Sequence, residues 1–95
     1  MKKYEAMFII NPELDSDKTK EMINKVKEII EKSGEIESME EWGKKRLAYK
    51  IKNKFEEGYY VLIYFKALNE VLIDLEHYFK VTEDFVRHMI LKKED

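Results

Sequence analysis

What most constrains this chain is a repeated switch in hydrophobic period. Tyr4, Ala6, Phe8 and Ile10 share one parity, opposite Lys3 and Glu5, which is the two-residue alternation of a strand. Met7 and Ile9 fill the other parity with apolar groups, as in a strand with neighbours on both edges. Asn11-Pro12 ends that run, because the pyrrolidine ring removes a donor and drives the preceding residue out of the helical region. Met22, Ile23, Val26, Ile29 and Ile30 then recur at three- and four-residue spacing, the stripe of an amphipathic helix. Asp15 or Ser16 is placed to cap it, and Gly34 to end it in a left-handed conformation.

The second half repeats the switch. Glu35 to Lys52 reads as one long strand whose parity changes near Gly43, where a bulge or bend is expected. Asn53 to Gly58 has the composition of a turn, and Tyr59 to Lys66 is the most β-prone stretch. Asn69 stands where it can cap a second helix carrying Val71, Leu72, Leu75, Tyr78 and Phe79. A last strand is expected over Phe85 to Lys92, with a frayed Lys93-Glu94-Asp95 tail.

Strand, helix, strand, strand, helix, strand is the order that results. Right-handed crossovers leave one compact solution for it. That solution is an α+β, ferredoxin-like split βαβ sandwich, with both helices on one face of a four-stranded antiparallel sheet. At 95 residues there is room for one domain, expected to span 1–95. The predicted core is Tyr4, Ala6, Phe8, Val26, Ile30, Leu75 and Phe79.

The catalytic inventory is thin. Without cysteine there is neither a disulfide nor a thiolate ligand or nucleophile. His77 falls on the second helix and His88 on the last strand, with no second ligand at metal spacing. Gly34, Gly43 and Gly58 are too far apart for a phosphate-cradling loop. The acylphosphatases, enzymes on this fold, need an arginine-bearing loop after the first strand. Here that loop is Asn11-Pro12-Glu13-Leu14-Asp15, which is acidic. No enzyme, metal site, cofactor or small-molecule substrate is expected. The apolar runs Ala6–Ile10 and Tyr59–Phe65 are too short to span a bilayer, and Lys2-Lys3 before Glu5 does not make a secretory signal. A soluble cytosolic protein without a membrane partner is the expectation.

Charge is distributed less evenly than the net value of −2 suggests. Glu28 to Glu41 carries six glutamates against Lys32, whereas Trp42 to Lys54 carries Lys44, Lys45, Arg46, Lys50, Lys52 and Lys54 with no acid. Alternation puts Arg46, Lys50 and Lys52 on one strand face and Leu47, Tyr49 and Ile51 on the other. Such a row can follow a nucleic-acid backbone and release its counterions. Lysines also protect edge strands from pairing with other sheets. Taken alone, the row fits both roles.

Gly43-Lys44-Lys45-Arg46-Leu47-Ala48-Tyr49-Lys50-Ile51-Lys52 resembles the signature of the bacterial small-ribosomal-subunit protein six family. In that signature a Gly, a variable, a basic and a polar residue precede Leu-Ala-Tyr, a variable residue, Ile and usually a base. The opening Met1-Lys2-Lys3-Tyr4-Glu5, the Asn11-Pro12 break and the closing Val86-Arg87-His88-Met89 are similar to the family as well. The resemblance implies the ferredoxin-like fold, pairing with small-subunit protein eighteen, and binding to the central domain of 16S ribosomal RNA. With that role in view, Lys2, Lys3, Lys44, Lys45, Arg46 and Arg87 are the expected RNA contacts. Arg46 and Arg87 are the only arginines, and a guanidinium binds phosphate bidentately where an ammonium cannot. Met7, Ile9, Trp42, Tyr60, Leu62, Tyr64 and Met89 are expected on the open sheet face as a protein-partner interface.

Two other readings fit the same fold. A free-standing RNA-recognition motif stacks bases on aromatics of the open face. Gly58-Tyr59-Tyr60-Val61-Leu62-Ile63-Tyr64 and Met7-Phe8-Ile9-Ile10-Asn11 loosely resemble its two signatures. Against it, Phe8 shares parity with the predicted core, and Val61 stands where a stacking aromatic belongs. A dimeric ligand-binding regulatory domain would need a cavity between subunits and leaves the basic stretch without a purpose.

Overall fold

The computed structural model describes residues 1–48 and 55–93. Strand β1 (Lys2–Ile10) is followed by helix α1 (Ser16–Glu31), strands β2 (Gly34–Ala48) and β3 (Phe55–Ala67), helix α2 (Asn69–Val81) and strand β4 (Phe85–Lys93). The strands form one sheet in the order β2-β3-β1-β4, with every neighbouring pair antiparallel. The split βαβ architecture read from the hydrophobic periods is the one observed, and β1 has a neighbour on each side.

Alternation along β1 sends Tyr4, Ala6, Phe8 and Ile10 towards the helices. There they meet Met22, Ile23, Val26 and Ile30 of α1 and Val71, Leu75 and Phe79 of α2, all in one buried cluster. Phe8 lies at its centre, with ring centroids 5.4 Å from Phe79 and 5.6 Å from Phe85, while Phe79 and Phe85 are 4.9 Å apart. Burying one such ring contributes about 1.5–3 kcal/mol, and edge-to-face pairs about 0.5–1.5 kcal/mol more.

The helix ends follow the predicted stripes but not every predicted cap. Asp15, in extended conformation, caps α1 by accepting the Lys18 amide at 2.8 Å. The helix closes on Lys32 in the right-handed region, so Gly34 is not a left-handed cap. Gly34 instead opens β2, where a Cβ would stand 2.5 Å from the Lys66 carbonyl oxygen and 2.8 Å from that of Ile30. Close backbone approach, not an unusual φ, requires glycine there. Asn69 does not cap α2 either: β3 runs to Ala67, and Leu68 alone makes the turn without a side-chain cap.

Gly43 has φ +75° and lies at a register shift where Trp42 is the extra residue of β2, which is the expected bulge. A second shift falls between Ile36 and Ser38. Strand β3 begins at Phe55, not at Tyr59, because Lys44 to Ala48 pair with Phe55 to Tyr59. Ladder bonding to a long partner strand outweighs the turn-forming composition of Glu57 and Gly58. Lys93 likewise belongs to β4, in register with Lys3. The expected placements of Tyr49 to Lys54 and of the last two residues lie outside the described residues.

Candidate nucleic-acid and partner interface

Both helices cover one face, so the other parity of each strand forms an uncovered face. At one end of it Lys66, Lys3 and Lys93 stand opposite one another. Tyr64, Glu5 and Leu91 form the next row, then Leu62, Met7 and Met89 beside Glu40. Tyr60, Ile9 and Arg87 make the last complete row, beside Gly43. Beyond it the β2–β3 hairpin continues alone, pairing Lys44 with Tyr59, Lys45 with Gly58 and Arg46 with Glu57.

This register divides the six predicted RNA contacts. Lys44, Lys45, Arg46 and Arg87 are exposed at the hairpin end. Lys2 and Lys3 lie at the opposite end of β1, about 20 Å away at ~3.4 Å per strand residue. Within the hairpin Lys45 points to the uncovered side, while Lys44 and Arg46 share the parity of Tyr59. Past Ile10 no strand of β1 flanks that parity, so exposure survives on both sides of the hairpin.

The seven residues expected at a protein interface divide too. Met89 and Trp42 are 44% and 43% exposed, and Met7 and Tyr64 are half-buried. Ile9, Tyr60 and Leu62 are buried within the chain itself, so they are not the open surface that their parity led us to expect. Two local features explain this. Ile9 packs where a Cβ on Gly58 would sit, and the bulged Trp42 stacks on Tyr60 with centroids 6.4 Å apart and planes 14° from parallel. The Trp42 indole N–H also donates to Glu40 at 3.3 Å, which holds the ring across the face. Val86 and Leu91, both 45% exposed, add to the apolar surface along β4.

The ion pairs among the described residues lie at or near the surface. Lys93 Nζ lies 3.2 Å from Glu5 Oε1 and 5.8 Å from the Tyr64 ring centroid, and Lys66 Nζ lies 4.0 Å from Glu37. Across the hairpin the Tyr59 hydroxyl donates to Glu41 at 2.8 Å. That bond raises the Tyr59 pKa above 10.0, with burial and the carboxylate charge adding in the same direction.

None of this is arranged for catalysis. His88 turns towards the helices, stacked on Phe79 at 4.8 Å with Nε2 3.4 Å from Glu76, and His77 is exposed on α2. Among the described residues no three His, Asp or Glu side chains are grouped to hold a metal ion. No helix among the described residues is long and apolar enough to cross a membrane. The base-stacking alternative also loses its platform, since Phe8 and Val61 both lie in the helix-covered core.

Sequence reasoning did not single out Lys66 and Lys93. Each is one lysine among many in the sequence, and only the strand register places them beside Lys3.

Comparison with solved structures first gives the class. The divalent ion tolerance protein CutA1 from Ehrlichia chaffeensis aligns over 100% of this chain and 85% of its own, with TM-score 0.53 at 10% identity, a likeness of fold alone. The 30S ribosomal protein S6 from Thermotoga maritima aligns over 97% of this chain and 87% of its own, with TM-score 0.84 at 36% identity. The class is thus the ferredoxin-like α+β sandwich, and within it the likeness to a ribosomal protein is the stronger.

Sequence comparison then narrows it. Residues 3–92 match the family described as Ribosomal protein S6. The small ribosomal subunit protein bS6 of Clostridium novyi is 47% identical over 99% of both chains. That of Carboxydothermus hydrogenoformans is 41% identical, covering 99% of this chain and 98% of its own. The chain belongs to the ribosomal protein S6 family. It is a structural protein of the small ribosomal subunit in the cytoplasmic ribosome, and not an enzyme.

Proposed function

We propose that this chain acts as one unit over residues 1–95 and binds the central domain of 16S ribosomal RNA jointly with small-subunit protein eighteen. One observation carries the reading: exposed Lys44, Lys45, Arg46 and Arg87 share one end of the sheet, and the exposed apolar side chains Trp42 and Met89 stand near it on the two edge strands, β2 and β4. Phosphate-binding cations beside uncovered apolar side chains suit a surface shared between RNA and a protein. A net charge of −2 makes the isolated chain a poor polyanion ligand. A basic partner supplies the missing field, so the two proteins bind RNA with positive coupling.

Titrating 16S RNA with this protein, with and without protein eighteen, tests the reading. Joint binding much tighter than either alone is expected. Tight binding of the isolated chain, unchanged by protein eighteen, overturns it. Arg46→Ala and Arg87→Ala should each weaken the ternary complex by about 1–3 kcal/mol. Each should also flatten the log–log salt dependence by about 0.7–0.9. Removing Lys18 or Lys27 from α1 should change little. If those helix lysines matter equally, the hairpin cations are edge protection and the assignment falls.

A further inference from the structure

From the register of the sheet we infer that Lys3, Lys66 and Lys93 form a second phosphate-binding site, which engages a different RNA backbone segment from the Arg46–Arg87 end. The inference rests on the RNA reading and extends it from Lys3, an expected contact, to Lys66 and Lys93, which had no role there.

Lys66 pairs with Lys3, and Lys3 with Lys93, all on the uncovered parity. Three ammonium groups are thus set across two interstrand gaps, about 10 Å in all. Like charges directly opposite in a sheet are destabilising. The fold relieves this only partly: Glu5 holds Lys93 at 3.2 Å and Glu37 holds Lys66 at 4.0 Å. Among the described residues the middle lysine, Lys3, has no ion pair. Edge protection does not account for Lys3 and Lys66, because β1 and β3 are the two interior strands; of the row only Lys93 stands on an edge, β4. Nor do these side chains stabilise the core, which lies on the opposite face. A row of like charges that its two ion pairs offset only in part marks a functional site.

The chemistry is that of a polyanion backbone. Lysines are compact charges that meet phosphate without reading a base, and each contact releases a condensed counterion. A row about 20 Å from Ile9, level with Arg87, lies more than two Debye lengths from the hairpin cations at physiological salt. It therefore acts on its own stretch of phosphates and not as an extension of their field.

The full-length K3Q/K66Q/K93Q variant, in ternary complex with 16S RNA and protein eighteen, provides the test. Its affinity should fall about ten- to one-hundred-fold, and its log–log salt slope should flatten by roughly two units. Its thermal midpoint should rise by about 1–4 °C as like-charge repulsion is relieved. Combination with Arg46→Ala should multiply the two losses, since the sites are distant. Unchanged binding in the triple variant, with Arg46→Ala and Arg87→Ala still impaired, overturns the second site and leaves the main reading intact. If neither set matters, the RNA reading itself fails. A lowered thermal midpoint would make the row structural. Loss of affinity for protein eighteen in the absence of RNA would make it a protein surface. Either result overturns the inference.

Discussion

Two consecutive residues of β1 show how differently the two faces of the sheet are used. Phe8 stands between Val61 and His88, completely buried against both helices. Met7 stands between Leu62 and Met89, and on that side Met89 remains 44% exposed with no second layer above it. One face is finished inside the chain. The other is partly closed by the chain's own devices, the Trp42 lid on Tyr60 and the Ile9–Gly58 contact, and otherwise left as surface. The helix-covered face supplies stability, while the uncovered face presents groups that the fold does not need.

The largest test of that contrast is Phe8→Ala. Removing the central ring leaves a cavity among Phe79, Phe85 and their neighbours and should cost about 3–5 kcal/mol in denaturant unfolding. A loss below about 1 kcal/mol would show that the two faces are energetically alike. Met89→Ala, on the uncovered side of the same sheet, should change unfolding by no more than about 0.5 kcal/mol. It should nonetheless weaken assembly with protein eighteen and RNA, measured in the same titration as the arginine variants. A large stability loss there would erase the distinction.

The smallest effect concerns the hairpin, where cross-strand bonding replaces the helix layer. The folded chain holds the Tyr59 proton more tightly than the unfolded chain, because the hydroxyl donates to Glu41. The associated stability is complete below the ordinary value of 10.0 and is lost as pH rises through the raised one. Ultraviolet titration should therefore show a delayed phenol that Glu41→Gln brings down. Tyr78, raised mainly by burial and secondarily by Glu21, should be unaffected. If Glu41→Gln leaves every tyrosine midpoint in place, the hairpin bond does not persist in solution.

The parity of Phe8 against Met7 was legible because it is local. A strand side chain points opposite to its neighbour whatever the partner strand does. The α1 stripe and the Gly43 bulge were legible for a similar reason, since spacing and backbone freedom are properties of short segments. The Asn69 cap and the expected start of β3 at Tyr59 were misplaced. At those positions a strand ladder competes with local preference, and β3 runs from Phe55 to Ala67. For the candidate site, the basic stretch and the two arginines could be named from their types. Their division between two ends of the sheet could not.

By itself, then, the sequence determined the order of elements, the face each strand turns to the core, and the family, through patterns a few residues long. Tertiary structure decided which distant residues stand side by side. Lys3, Lys66 and Lys93 meet only because β3, β1 and β4 pair in one register. Ile9, Tyr60 and Leu62 are hidden by packing within an uncovered face, not by their own hydropathy. The physical reason is range: alternation is set by the chirality and geometry of the backbone, whereas register is fixed by bulges and by the packing of the whole sheet at once.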